Sequence, residues 1–235
     1  GNPALEAEVK REASVGLVFS GATVSAGATL YHYDFQDYIN SLVLARQDVN
    51  DDGVVDIVRG FENVRAVLDG LEATLVLRPS ARLTLPLAIA WVRAENRDRG
   101  SPLAEIPPLE GRMAARFRVE RSGGGKNTGA GGRPDARESA GAGAIEIGAR
   151  LVASQDRIDP AFGEDATPGY AVWHLRGEWT IAGRLRLGVG IENLFDKEYH
   201  EHLTREAAVP DGDLAAGDEI PQPGRTLVVA LRADF

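Results

Sequence analysis

The chain has 235 residues, a formal net charge of −9 and no cysteine. That length suffices for one large domain. The charge argues against a nucleic-acid partner, and the missing cysteines exclude disulfide frameworks and thiolate metal sites. No run reaches the ~18 apolar residues of a membrane helix, yet the hydrophobic fraction of 43% leaves a water-soluble protein and a membrane barrel both open. Only alternate residues of a barrel strand face lipid, so a barrel escapes hydropathy analysis. The chain opens at Gly1 without a charged and then apolar signal segment, so the amino terminus reads as truncated.

Taken in order, strands are expected near 12–20, 24–36, 62–78, 82–94, 112–120, 143–155, 170–181, 184–195 and 225–235. The reason is alternation, because a strand sends successive side chains to opposite faces. Leu83, Leu85, Leu87, Ile89 and Trp91 share one face. Next, Met113, Ala115, Phe117 and Val119 oppose Arg112, Arg116, Arg118 and Glu120. Ile145, Ile147, Ala149, Leu151 and Ala153 follow the same rule. Trp173, Leu175, Trp179 and Ile181 oppose His174, Arg176, Glu178 and Thr180. Leu185, Leu187, Val189 and Ile191 oppose Arg186, Gly188, Gly190 and Glu192. Leu227, Val229, Leu231, Ala233 and Phe235 close the series.

Lengths of ~9–13 residues suit tilted transmembrane strands. The connections add a rhythm. Gly21-Ala22, Pro79-Ser80-Ala81 and Ala182-Gly183 are short, whereas 37–61, 95–111, 156–169 and 196–224 are long and polar. Short turns on one side and long loops on the other are the outer-membrane arrangement. Residues 121–142, rich in Gly, Ser and Ala, break it and read as a flexible insertion. A soluble β-sandwich also alternates, but its strands average ~5–6 residues. The expected fold is therefore all-β, a partial antiparallel transmembrane barrel of about nine strands filling 1–235.

Asp48, Asn50, Asp52 and Asp56 occupy positions 1, 3, 5 and 9 of an EF-hand-like loop, with Gly53 at the sharp turn. These oxygen ligands make calcium the one cofactor the sequence suggests, and none is required. Arg59 stands where the bidentate Glu belongs, which weakens the site. His200 and His202, two residues apart in a long loop, are a second candidate metal pair against the simpler reading of solvated histidines. Gly123-Gly124-Gly125-Lys126-Asn127-Thr128 lacks the Ser or Thr after Lys and any strand–loop–helix context, so it is not a phosphate loop. No Ser/His/Asp spacing supports an enzyme.

The end of the chain resembles a known family. Asn193-Leu194-Phe195-Asp196-Lys197-Glu198-Tyr199, then Glu201-His202-Leu203, then Pro223-Gly224-Arg225 and a strand ending in Phe235 look like the last hairpin of TonB-dependent receptors. Gly1-Asn2-Pro3-x-Leu5, Tyr33-x-Phe35-x-Asp37-x-Ile39 and Phe61-Glu62-Asn63-Val64 are similar to further segments of that family. The motif residues read as architecture. Asn193 and Asp196 can bond their own backbone where the strand ends, Pro223 stiffens the next entry, and Gly224 permits unusual backbone angles. The resemblance implies a barrel of roughly 22 strands with a plugged lumen, in the outer membrane of a Gram-negative bacterium. It implies TonB as a partner through a plug not contained here. It also implies the barrel-assembly machinery at the terminal strand, outer-membrane lipid around the wall, and a metal chelate as cargo. A ferric siderophore is the preferred cargo, with copper or cobalamin as alternatives within the family. Outside it stand a passive porin, an outer-membrane hydrolase and a soluble β-sandwich binding module. The lipid-face expectation is specific: Trp173, Leu175, Leu187, Val189, Leu227, Val229 and Leu231 outward, Arg176 and Arg186 inward. The strands near 12–20 and 225–235 should be open edges.

Overall fold

A computed structural model describes residues 2–48, 56–119, 142–182, 185–204 and 219–233. Most of the acidic loop 48–56, all but one residue of the insertion 121–142, the Gly-rich stretch near Lys126, and Phe235 lie outside the described residues.

Every described element is a strand. They run β1 (Val9–Ser20), β2 (Val24–Gln47), β3 (Asp56–Leu77), β4 (Leu83–Asn96), β5 (Ser101–Pro102), β6 (Glu110–Val119), β7 (Gly143–Val152), β8 (Tyr170–Ala182), β9 (Leu185–Glu192) and β10 (Thr226–Ala233). They form one antiparallel sheet in the order β1-β2-β3-β4-β6-β7-β8-β9-β10, with β5 a short addition to β4. The nine expected strands are all present. Among the described residues no ladder joins β1 to β10, so both are open edges and this sheet does not close into a barrel.

Register carries the alternation across the whole sheet. Leu187 lies opposite Trp179 and Leu231, and Val189 lies opposite Gly177 and Val229. Ile147 sits between Ala115 and Leu175, and Leu87 between Leu75 and Met113. The apolar side chains thus form one continuous band. Rings stand near both margins, which suits an interfacial belt. Trp173 meets Phe195 edge-on at 6.3 Å on the long-loop side, while Phe19 borders the short turn at Gly21. The band ends on the long-loop side at a row of charge, His32 opposite Asp69 and Asp69 opposite Arg93, with His32 Nδ1 2.7 Å from Asp69 Oδ1. Arg186 is on the other face, opposite Thr180 and Arg232. Depressions lined by Arg116, Glu146, Arg176, Glu178 and Glu192, and by Thr29, Glu72, Thr74, Glu110 and Arg112, lie along that polar face and mark it as the concave side.

One expectation needs correction. Residues 37–61 are not mainly loop, because β2 runs on to Gln47 and β3 begins at Asp56. The reason is a bulge. The β2–β3 register slips between Phe35 and Tyr38, where Asp37 has a φ of 57°. An extra residue reverses the phase of alternation, so the pattern of Tyr31, Tyr33 and Phe35 continues as Tyr38 and Asn40. Read in a single phase, the strand seems to stop there. The result is a tall hairpin rising beyond the apolar band.

Among the described residues the buried apolar core is small, Ala66, Ala94 and Leu103, packed against Phe35, Tyr38, Leu68 and Ile106. It lies on the polar side of the sheet near the long-loop rim, where the segment after β5 folds inward.

Candidate functional site

Two regions of the wall carry concentrated polar chemistry. The first is the concave face of β6 to β9. Glu110 accepts from Arg112 and, at 2.8 Å, from Arg150. Arg116 approaches Glu178 at 3.3 Å. Glu146 receives His174 at 3.2 Å and lies 3.8 Å from Arg176. Arg176 presents Nε and Nη2 to the two oxygens of Glu192 at 2.7 and 2.9 Å, a bidentate pair. Each of these arginines has a glutamate partner, so the charges neutralise one another in pairs even where Arg112 lies opposite Arg150. Such a lattice is solvated and inexpensive in a lumen; on the lipid face each charge would cost ~2–4 kcal/mol near midplane.

The second region is the mouth. The turn after β4 is fastened by Asp98, whose two oxygens accept the backbone N–H and the guanidinium of Arg65 at 2.7 Å each. Those bonds, the backbone one first, hold the Asp98 carboxyl below its ordinary pKa. Deeper in, Glu164 is a hub. Its Oε1 accepts the amide of Glu105 at 2.8 Å and faces His202 Nε2 at 2.9 Å; its Oε2 accepts the amide of Asp159 at 2.9 Å. The side chains of His202 and Glu164 are only 2% and 9% exposed. One carboxylate therefore ties together the β5–β6, β7–β8 and β9–β10 loops. The left-handed Gly163, φ +83°, makes the bend that delivers it. The β2–β3 hairpin leans on the same structure. Val43 N–H donates to Ala161 O at 2.9 Å, and the Arg59 guanidinium stands 4.0 Å over the Phe162 ring.

The sequence-predicted site residues divide accordingly. Asp48 and Asp56 flank residues outside the description, and Asp56 pairs with Gln47 as the first rung of β3. The Arg59 guanidinium is engaged by Phe162, lying over its ring and donating from Nη1 to its carbonyl oxygen at 3.2 Å. His200 engages Glu219 at 2.5 Å. His202 has both ring nitrogens occupied, Nδ1 by Thr167 Oγ1 at 3.1 Å and Nε2 by Glu164. The two histidines therefore belong to separate partners. Among the described residues no group of three or more His, Asp or Glu could hold a metal ion.

The hairpin motif is built as a staple. Asn193, 7% exposed with a φ of 46°, accepts Lys197 N–H at 2.8 Å. Its amide donates to Lys197 O at 2.8 Å and to Pro223 O at 3.2 Å. Asp196 Oδ1 accepts Arg225 N–H at 2.7 Å across the hairpin, and its own amide returns to Asn193 O. Leu194 N–H reaches Trp173 O, and the Tyr199 ring packs on Tyr170 at 4.4 Å. Asn193 thus bonds the local backbone at the strand end, as expected, and also reaches Pro223, while the Asp196 side chain bonds across the hairpin. Gly224 is a further correction. It does not have a positive φ; a Cβ there would stand 2.8 Å from Asp196 Oδ1. Glycine is required for room, not for an unusual backbone angle.

Glu110 and Arg150 carry no signal in the sequence, because Arg150 meets Glu110 across 40 residues and Glu201 across 51, and such pairs leave no periodic pattern.

Comparison with known proteins decides the class. Residues 1–194 match the family described as TonB dependent receptor-like, beta-barrel. The chain belongs to this family. It is 28% identical over its whole length to a ferric enterobactin receptor of Pseudomonas aeruginosa and 25% identical to the ferrienterobactin receptor of Escherichia coli K12. It spans 30% of the length of each. Among solved structures, the copper transporter OprC superposes with a TM-score of 0.79 at 23% identity, over 98% of this chain and 32% of that one. The ferric yersiniabactin uptake receptor of Yersinia pestis gives 0.65 at 16% identity, over 97% and 30%. These structural likenesses show the fold. In this wall of an outer-membrane receptor family, the apolar band and the ion-pair lattice lie on opposite faces of the sheet.

Proposed function

We propose that the protein containing this wall takes up a metal chelate across the outer membrane by a TonB-dependent route, with a ferric siderophore as cargo. The observation that carries the reading is the family membership together with matches, over the whole of this chain and 30% of theirs, to two receptors named for ferric enterobactin. TonB would act through a plug, and the exposed β10 edge would present the terminal strand to the barrel-assembly machinery. The expected result is uptake of radiolabelled ferric siderophore by cells carrying the complete receptor, abolished when TonB is deleted. Uptake that continues without TonB would overturn the proposal and favour a passive pore.

A copper receptor is the second reading, favoured by the TM-score of 0.79. It has little support from side chains. Copper(I) prefers soft sulfur and imidazole ligands. Met113 is the chain's single methionine and lies in the apolar band, 40% exposed, opposite Leu87 and Ala149.

We also propose calcium binding at Asp48, Asn50, Asp52 and Asp56. Because position 12 is Arg59, a cation with no acceptor, the site lacks its bidentate ligand, so affinity should be in the millimolar range found in extracellular calcium modules, ~10⁻⁴–10⁻³ M or weaker. Calorimetry on the complete receptor should show binding that Asp52→Ala removes. A flat titration at millimolar calcium would end this idea.

A further inference from the structure

The two neighbouring residues Glu201 and His202 reach into different parts of the molecule. Glu201 Oε1 meets Arg150 Nη1 at 2.5 Å, and Arg150 belongs to the lumenal lattice through Glu110 at 2.8 Å. The Arg150 guanidinium also lies 5.6 Å from the centre of the Tyr170 ring, on which Tyr199 packs. His202 turns the other way, into the β7–β8 loop, where Thr167 and Glu164 take its two nitrogens. Thr167 is itself part of an isolated bridge, with Gln155 N–H to Thr167 O at 2.9 Å and Thr167 N–H to Gln155 O at 3.1 Å. The Gln155 side chain continues to Ile106 O at 2.7 Å.

We propose that Glu201 and His202 form a two-pronged clamp that joins the lumenal wall to the extracellular loops, so that releasing either prong loosens both. A peptide bond separates the prongs. Residues 199–203 therefore cannot leave the wall while His202 stays seated, nor can His202 leave its buried slot without straining Glu201 on Arg150. The hub at Glu164 passes the constraint to the β5–β6 loop through the Glu105 amide. The mouth then opens as one body and not loop by loop. This holds whatever cargo the receptor carries.

The test is hydrogen exchange of the complete receptor in detergent micelles, with heat-modifiable mobility as the check that the barrel has assembled. In E201A, exchange at the Gln155 and Thr167 amides should rise roughly tenfold, the equivalent of one charged hydrogen bond. None of Glu201's hydrogen bonds or ion pairs described above involves these amides, so a merely local role would leave them unchanged. H202A should do the converse and raise exchange at Gln222, whose N–H donates to Tyr199 O. E201Q keeps the side-chain length and an acceptor for Arg150; it should raise exchange at the same amides by less, and it serves if E201A does not assemble. Changes confined to residues 199–203 in E201A or E201Q, with Gln155 and Thr167 at the wild-type rate, would overturn the clamp.

Discussion

Replacing Val189 by Arg should destabilise the barrel by ~2–4 kcal/mol, and the penalty should fall towards the turn, through Leu187→Arg to Leu185→Arg at ~0–1 kcal/mol. Val189 sits centrally in β9 on the apolar face, opposite Gly177 and Val229, so a guanidinium there meets hydrocarbon. Leu187 is one step nearer the short turn, beside Trp179, and Leu185 follows Ala182 across that turn. Both can send a long cationic side chain to the interface. Gly188→Arg, on the opposite face between Glu178 and Ala230, should cost far less. Reversible unfolding of the complete receptor from lipid vesicles measures the series. Equal penalties at Val189 and Gly188 would show that the two faces do not differ in solvent.

The second large effect lies at the staple. Asn193→Leu keeps side-chain volume but leaves Lys197 N–H, Lys197 O and Pro223 O without their partner at a position 7% exposed. Lys197 and Pro223 are exposed, so water takes over part of these bonds; each lost bond costs ~0.5–1.5 kcal/mol, and leucine also resists the left-handed φ of 46°. The expected loss is ~1–3 kcal/mol, read as a lower unfolding midpoint with the denaturant slope unchanged. Asn193→Asp retains the acceptor for Lys197 N–H and should lose part of this. If Asn193→Leu unfolds like wild type, the side-chain bonds contribute nothing measurable.

The sequence shows the wall clearly and the mouth poorly, for physical reasons. A strand between lipid and water must alternate, so Leu187 and Arg186 could be assigned to opposite faces by their parity alone. Asp37 shows the limit. One bulged residue reverses the parity of β2, and the strand beyond it reads as loop. Glu164 shows another. Its importance comes from three donors brought by three loops, and nothing near Gly163-Glu164-Asp165 in the chain foretells Glu105 or His202. Histidines two residues apart read as a metal pair from spacing, yet the fold gives each its own carboxylate. Gly224 reads as a position of unusual backbone angle, yet the atom that needs its space belongs to Asp196, 28 residues earlier.

The claim that this sheet divides lipid from lumen can be measured one residue at a time. The chain contains no cysteine, so single cysteines can be introduced from Leu185 to Glu192 and spin-labelled in the complete receptor in lipid vesicles. Collision with a lipid-soluble relaxant should alternate, high at Leu185, Leu187, Val189 and Ile191 and low at Arg186, Gly188, Gly190 and Glu192. A profile without a two-residue period, or one with the opposite phase, would contradict the account.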